Sequence, residues 1–297
     1  MTSAARRAPT GRWRGGAGAL FVAPYLLVFV AMLVVPLVLG LRLSLTRADL
    51  FGIQQFVGFG NFTRLASDPV FLQTVWNTFY FVLLTVPALT VAGLLLALAL
   101  NSPGRWAAVL RAIFFASTVL SVTVVTLIWR LVLIPEGGLA ALVSRALGQQ
   151  AVAYLSEPAL AMPAVAVTTI WWGIGLPMVL FLAALQQVPR ELYEAAALDK
   201  ATKLRALLSI TLPSIRRTVA LVICVEIVLQ FQLFGQPYLM TGGGPNNTTR
   251  PIVLFIYEAG WKQWQLGYAT AASQVLFGLI ACVAMAQYYF SSRKGAR

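Results

Sequence analysis

Residues 191–213 read ELYEAAALDKATKLRALLSITLP. Nine charged residues stand between Arg190 and Arg217, in a chain with only 22 basic and 9 acidic residues among 297. At helical spacing, Leu192, Ala195, Ala196, Leu198 and Ala201 make one small apolar face. Glu191, Glu194 and Asp199 come early, where a helix dipole favours acids, and Lys203 and Arg205 come later. Leu204, Leu207, Leu208 and Ile210 start a second helical pattern, which Pro213 is expected to interrupt. Two readings fit this pattern. One is an amphipathic loop lying on a membrane surface. The other is a docking element, whose alanines let a partner protein approach closely.

The membrane enters because everything around this stretch is apolar. The chain is 59% hydrophobic and 10% charged, with mean hydropathy +0.81. A soluble chain of this size carries more surface charge. The long apolar runs predict an all-α polytopic membrane protein with six spans, at 18–43, 75–100, 111–133, 161–186, 218–240 and 267–290. Residues 1–17 and 291–297 are then tails, 18–290 the membrane domain and 188–217 its charged loop. Arg6, Arg7, Arg12 and Arg14 precede the first span as in a signal peptide. That span is too long for a signal h-region and has no small-residue cleavage site at its end, so it is read as a retained helix.

Charge sets the orientation. Both tails, the 2–3 connection and the 188–217 loop hold 15 of the 22 basic residues. By the positive-inside rule both termini and the charged loop are cytoplasmic. The basic residues flank spans and form no continuous face, which argues against nucleic acid as a partner of this +13 chain. The chain has no histidine, and Cys224 and Cys282 sit inside apolar spans, so no metal site is expected. No G-x-x-x-x-G-K-[ST] stretch is present to cradle ATP.

The charged loop also resembles something specific. Glu194-Ala195-Ala196, then Lys200 after three residues, Ile210 after nine more, and Leu212-Pro213 follow the spacing E-A-A-x3-G-x9-I-x-L-P. That is the loop motif of binding-protein-dependent ABC importer permeases. Thr241-Gly242-Gly243-Gly244-Pro245 resembles the T-G-G-G-P of their carbohydrate-uptake branch, relatives of the maltose and glycerol-phosphate permeases. Asn77-Thr78 and Gly58-Phe59-Gly60-Asn61-Phe62 are similar to the same branch.

The resemblance implies a type I ABC importer transmembrane domain in the cytoplasmic membrane. It implies a second permease subunit, two ATPase subunits and an extracytoplasmic solute-binding protein as partners. ATP and magnesium would be bound by the ATPase subunits, with no cofactor in this chain. The docking residues it implies are Glu191, Glu194, Ala195, Ala196, Asp199, Lys200 and Ala201. Lys200 departs from the family glycine. Either the backbone turns left-handed there at a cost of about 1 kcal/mol, or the helix runs on through it. The left-handed turn is the expectation adopted.

Candidate solute contacts come from polar residues in apolar surroundings. Glu226 is an acid within a span, where charge is costly, so it faces an interior or a path. Gln230 shares its side, Gln232 and Gln236 lie adjacent, and Asn77 opens the second span. The alternative is that these groups bind helices together. Trp171 and Trp172 offer rings for a sugar face, or anchors at the interface. Trp76, Trp129, Trp261 and Trp264 read as an interfacial aromatic belt.

The reading is a non-enzymatic permease subunit that imports a sugar or related polyhydroxylated solute. The alternative is an ion- or proton-coupled secondary transporter. That rival needs a network of intramembrane ionisable groups and corresponding broken helices in two halves, and Glu226 alone is thin support. An intramembrane enzyme would need paired acids or a metal cluster.

Overall fold

The computed structural model describes residues 15–49, 52 and 54–293. The tail arginines before residue 15, together with Lys294 and Arg297, lie outside the described residues. Helix α1 covers 15–44, with a π turn at Val30–Val34. A short antiparallel ribbon follows, β1 (Thr46–Ala48) with β2 (Gln54–Phe56). Then come α2 (Gly60–Ser67), α3 (Pro69–Ala99), α4 (Arg105–Ala116), α5 (Val122–Leu133), α6 (Leu139–Ala146), α7 (Pro158–Gly173), α8 (Gly175–Leu185) and α9 (Arg190–Leu198). Helix α10 covers 203–231, and α11 (Gly235–Met240), α12 (Ile252–Tyr257) and α13 (Leu266–Arg293) complete the chain.

Four helices are long and apolar enough to cross a membrane, and six spans result if two bent pairs each count as one. The fold is therefore all-α and polytopic, with one small ribbon that the apolar pattern did not announce. Its centre is α3 with α10, packed against α7, α8 and α13. Phe181, Met178 and Val222 fill one buried cluster, and Phe231, Ile227 and Ala272 another. Close approach is built in at Gly93, where a Cβ would lie 2.8 Å from Pro177. Most of α1 is exposed, as are Leu83 and Leu95 of α3, the surface a bilayer solvates.

The third expected span, 111–133, is not one helix. Arg105–Val119 and Val122–Leu133 meet at 103°. Three local features hold that corner. Ser121 caps α5 by accepting from the Val124 amide at 3.4 Å. Ser117 Oγ donates to the Phe114 and Trp172 carbonyls. Gly175 lets α8 lie against the backbone of Phe114 and Phe115, where a Cβ would approach to 2.6 Å. The fourth span bends by 45° between Gly173 and Gly175.

Pro213 also acts otherwise than expected. It sits in the first turn of Leu212–Phe231, where its missing N–H costs little, after a π turn at Leu207–Thr211. The chain from Lys203 to Phe231 thus stays helical.

The weakly specific motifs turn out to be backbone clamps. Asn61 Nδ2 donates to the Ser44 and Thr46 carbonyls at 2.8 and 2.9 Å, fixing the end of α1 to the ribbon. Asn77 Nδ2 donates to the Asn247 and Arg250 carbonyls at 2.6 and 2.9 Å. Thr78 Oγ1 accepts from the Ile252 amide at 3.0 Å. Together they dock the loop that begins at Thr241-Gly242-Gly243-Gly244-Pro245 onto α3. Gly242 and Gly243 take φ of +63° and +88° there, values that favour glycine. Asn77→Ala leaves the half-buried Arg250 carbonyl without this donor and the Asn247 carbonyl with only the Arg250 amide, a cost of up to about 1–3 kcal/mol. The expected outcome is a lower unfolding temperature for the purified protein, with Asn77→Gln recovering little because its longer side chain misplaces the amide.

Candidate functional site

A cavity of about 450 Å³ opens where α10 ends, within the size range of small-molecule sites. Thr118 and Val122 line it from the corner between α4 and α5, and Thr169, Trp172 and Gly173 from α7. Glu226, Gln230, Gln232 and Gln236 supply its polar wall, beside Phe234 and Gly235. Glu226, Gln230 and Gln236 are buried. Gln230 Nε2 donates to Glu226 Oε2 at 3.0 Å, so the pair satisfies one donor and one acceptor and leaves the rest of both groups available. Gln232 Nε2 turns back to the Val228 carbonyl.

Trp172 presents its ring to the cavity because its Nε1 is held elsewhere, donating to the Leu120 carbonyl at 3.1 Å. That bond ties the cavity wall to the corner at Leu120–Ser121. Gly235 completes the approach: a Cβ there would lie 2.7 Å from Val122.

Two candidates lie elsewhere. Trp171 packs edge-to-face on Trp129 at 5.9 Å and is outside the cavity. Consecutive helical residues point in different directions, so both indoles cannot face one site. Asn77 is occupied by the loop carbonyls described above. Thr118, Val122, Thr169 and Gly235 were not picked out in the sequence. The corner at Leu120–Ser121 brings Thr118 and Val122 in, and its signal was the Ser117 and Ser121 pair inside an apolar run. Among the described residues no group of three or more His, Cys, Asp or Glu could hold a metal ion.

At the opposite end of α10 lies the charged loop. Helix α9 ends in a Schellman motif. The Ala201 amide bonds the Ala196 carbonyl at 2.9 Å, and the Lys200 amide bonds Ala197 at 3.0 Å. Lys200 has φ +53°, the left-handed geometry expected of the glycine it replaces. Thr202 then caps α10, accepting from the Arg205 amide. Glu191, Glu194, Ala195, Asp199 and Lys200 are exposed, and Ala196 and Ala201 half-buried. Leu198 is 86% exposed, a large apolar side chain left uncovered among the described residues. Tyr193 Oη and Thr211 Oγ1 lie 2.9 Å apart, which fastens α9 to the first turns of α10.

A helical bundle with a polar-walled cavity at one end of its central helix and an exposed charged helix at the other fits a membrane transport component. Residues 56–295 match the family described as "Binding-protein-dependent transport system inner membrane component", and the chain belongs to that family. It is a multi-pass membrane permease component and not an enzyme. It is 30% identical over 276 residues to the probable ABC transporter permease protein YurN of Bacillus subtilis, covering 91% of this chain and 94% of that one. It is 34% identical over 229 residues to SmoG of Agrobacterium fabrum, a sulfoquinovosyl glycerol transport system permease protein, covering 77% and 74%. The fold matches a chain of a bacterial alginate ABC transporter solved in complex with an alginate pentasaccharide-bound periplasmic protein. That match has TM-score 0.84 at 22% identity and covers 95% and 96% of the two chains.

Lys200→Gly removes the left-handed penalty of about 1 kcal/mol but adds freedom to the unfolded loop, so the net gain is a fraction of that. The expected outcome is slower hydrogen exchange at the amides of residues 200 and 201, which close the Schellman motif. Faster exchange would contradict the strain.

Proposed function

We propose that this chain carries a sugar or related polyhydroxylated solute across the inner membrane by alternating access, driven by ATPase subunits that dock on α9. The chain is a permease subunit of a sugar ABC importer, and nothing supports the secondary-transporter alternative. The observation that carries the finer reading is the placement of two unlike features at the two ends of α10, the charged loop and the cavity. Lys203 and Glu226 are separated by about 35 Å of continuous helix.

In this reading the small apolar face of α9, with exposed Leu198, enters a cleft on an ATPase subunit. The acidic residues Glu191, Glu194 and Asp199 orient it, as charge complementarity does at interfaces. ATP and magnesium belong to that partner. The cavity supplies what a polyol needs. Glu226 and the glutamines offer acceptors and donors to hydroxyls, and Trp172 a flat apolar face. A second permease subunit would close the path from the other side, and an extracytoplasmic binding protein would deliver the solute. The solute's identity is read most directly from a ligand screen on that binding protein. A screen that returns a non-carbohydrate ligand would overturn the solute class.

Orientation is tested in a chain with Cys224→Ala and Cys282→Ala. Ala197→Cys should resist an impermeant thiol reagent in intact cells, and Gln263→Cys should react. Labelling of position 197 from outside would reverse the assigned topology. Coupling is tested by Glu194→Lys, which should cut uptake and solute-stimulated ATP hydrolysis at least about tenfold while insertion stays normal. Unchanged uptake at equal expression would remove this face from the docking surface. Glu226→Leu should raise KM for the identified solute, because the cavity loses two acceptor oxygens and Gln230 loses its partner. If Glu226→Leu lowers only the unfolding temperature, the carboxylate ties helices together and does not meet solute.

A further inference from the structure

Phe234 belongs to the cavity wall and also begins a series of rings that leads away from it. Its ring stacks on Tyr238 at 5.2 Å and 12°. It meets Tyr257 in a T-shaped contact at 5.3 Å, and Tyr238 meets Tyr257 in the same way at 5.5 Å. Tyr257 stacks on Trp261 at 6.2 Å and 17°. The series comes from two separate stretches, α11 with its leading residue and α12 with the π turn Glu258–Lys262 behind it.

The outer rings are not closed off. Trp261 is 62% exposed and Tyr238 36%. A cluster whose only purpose was packing would bury these faces, since aromatic burial is where the stabilisation lies. A belt residue would turn its ring to lipid. Here charged groups border the rings. Glu258 pairs with Arg250 at 3.2 Å and with Lys262 at 3.4 Å. The Lys262 ammonium lies 5.7 and 5.8 Å from the Tyr238 and Tyr257 ring centroids. Partly exposed charges of both signs border the rings and can offer hydrogen bonds to hydroxyls.

Exposed aromatic side chains, an ionic border and continuity with a polar-walled cavity suit one ligand class. A pyranose has apolar C–H faces and a rim of hydroxyls. We propose that Trp261, Tyr238, Tyr257 and Phe234 form a stacking track that receives pyranose rings outside the cavity and passes them inward to Gln230 and Glu226. The track rests on the sugar-importer reading and adds a subsite to it. Its exposed faces at Trp261 and Tyr238 hold the outer sugar ring, and Arg250, Glu258 and Lys262 contact its hydroxyls. Two or more linked rings would engage track and cavity at once, so the track favours oligosaccharides over single sugars.

The test uses the assembled importer in lipid nanodiscs. The Trp261 emission is taken as the difference between the wild type and Trp261→Phe. Acrylamide should quench it, brominated phosphatidylcholine should not, and cellobiose at high concentration should protect it while glycerol does not. Quenching by the brominated lipid, or no protection by cellobiose, would overturn the track. In uptake, Trp261→Ala and Tyr238→Ala should each raise KM for an oligosaccharide ligand of the binding protein about fivefold, with kcat retained and Trp261→Phe near wild type. Unchanged KM in both alanine variants, in an importer that does carry an oligosaccharide, removes the track alone. A binding protein that delivers no carbohydrate removes the sugar-importer reading, and the track with it.

Discussion

The constraint on which this structure depends is that backbone N–H and C=O groups have no water to turn to inside a bilayer. A continuous helix meets it without help. An interruption needs other partners, and at three places among the described residues side chains supply them. Ser121 caps the new helix at the 103° corner while Trp172 covers the Leu120 carbonyl. Asn77 and Thr78 cover the carbonyls and amide of the loop that returns from α11. Asn61 covers the end of α1. These bonds hold the helices apart at angles that a simple bundle would not adopt, and the cavity occupies the space left between α5, α7 and α10. At the corner, Thr118 and Val122 on either side of the break line the cavity.

The same constraint explains what was legible in the sequence. Long apolar runs fixed the helical class because only helices of that composition satisfy themselves in lipid. Glu226, Gln230, Gln236 and Trp172 were legible because a polar or amphipathic side chain in an apolar run must be turned inward. The corner at Leu120–Ser121 was not. Serines and threonines in an apolar run can bond back to their own helix, as Thr126 and Thr168 do, or cap a new one, as Ser121 does. The choice depends on Gly175 and Trp172, which arrive from more than fifty residues away. Trp171 and Trp172 were equivalent on paper, and only the packing of Trp171 on Trp129 separates them. Asn77 had a recurring pattern but its partners lie 170 and 173 residues further on, so its structural task could not be read locally.

The charged loop follows the opposite logic. It lies beyond the apolar spans, water is available, and its groups need no internal partners. Its exposed charges and Leu198 make few demands on the chain itself. What is ordered is the backbone: a Schellman end on α9, a capped start on α10 and a hydroxyl contact between Tyr193 and Thr211. A surface with open side chains on a fixed backbone is suited to meeting another protein without losing much freedom on contact. Lys200 fits this account. The motif needs a left-handed residue to turn the chain from α9 into α10, and the lysine accepts that geometry because both hydrogen bonds of the motif are made.

Helix α10 then joins the two environments. Its first turns are fastened to α9, and its last turns carry Glu226 and Gln230. Its regular part, Leu212–Phe231, is a rod of about 30 Å that transmits a tilt at one end as a displacement at the other. The hydrogen-bond ladder is irregular just before this rod, in the π turn at Leu207–Thr211, and just after it, in the break at 232–234. Irregular turns are where a helix bends at least cost. One lies beside the charged loop and the other beside the cavity and the ring series. Between them the ladder is unbroken. Movement imposed on α9 would therefore be carried along Leu212–Phe231 and absorbed at its two ends, beside the charged loop and beside the cavity.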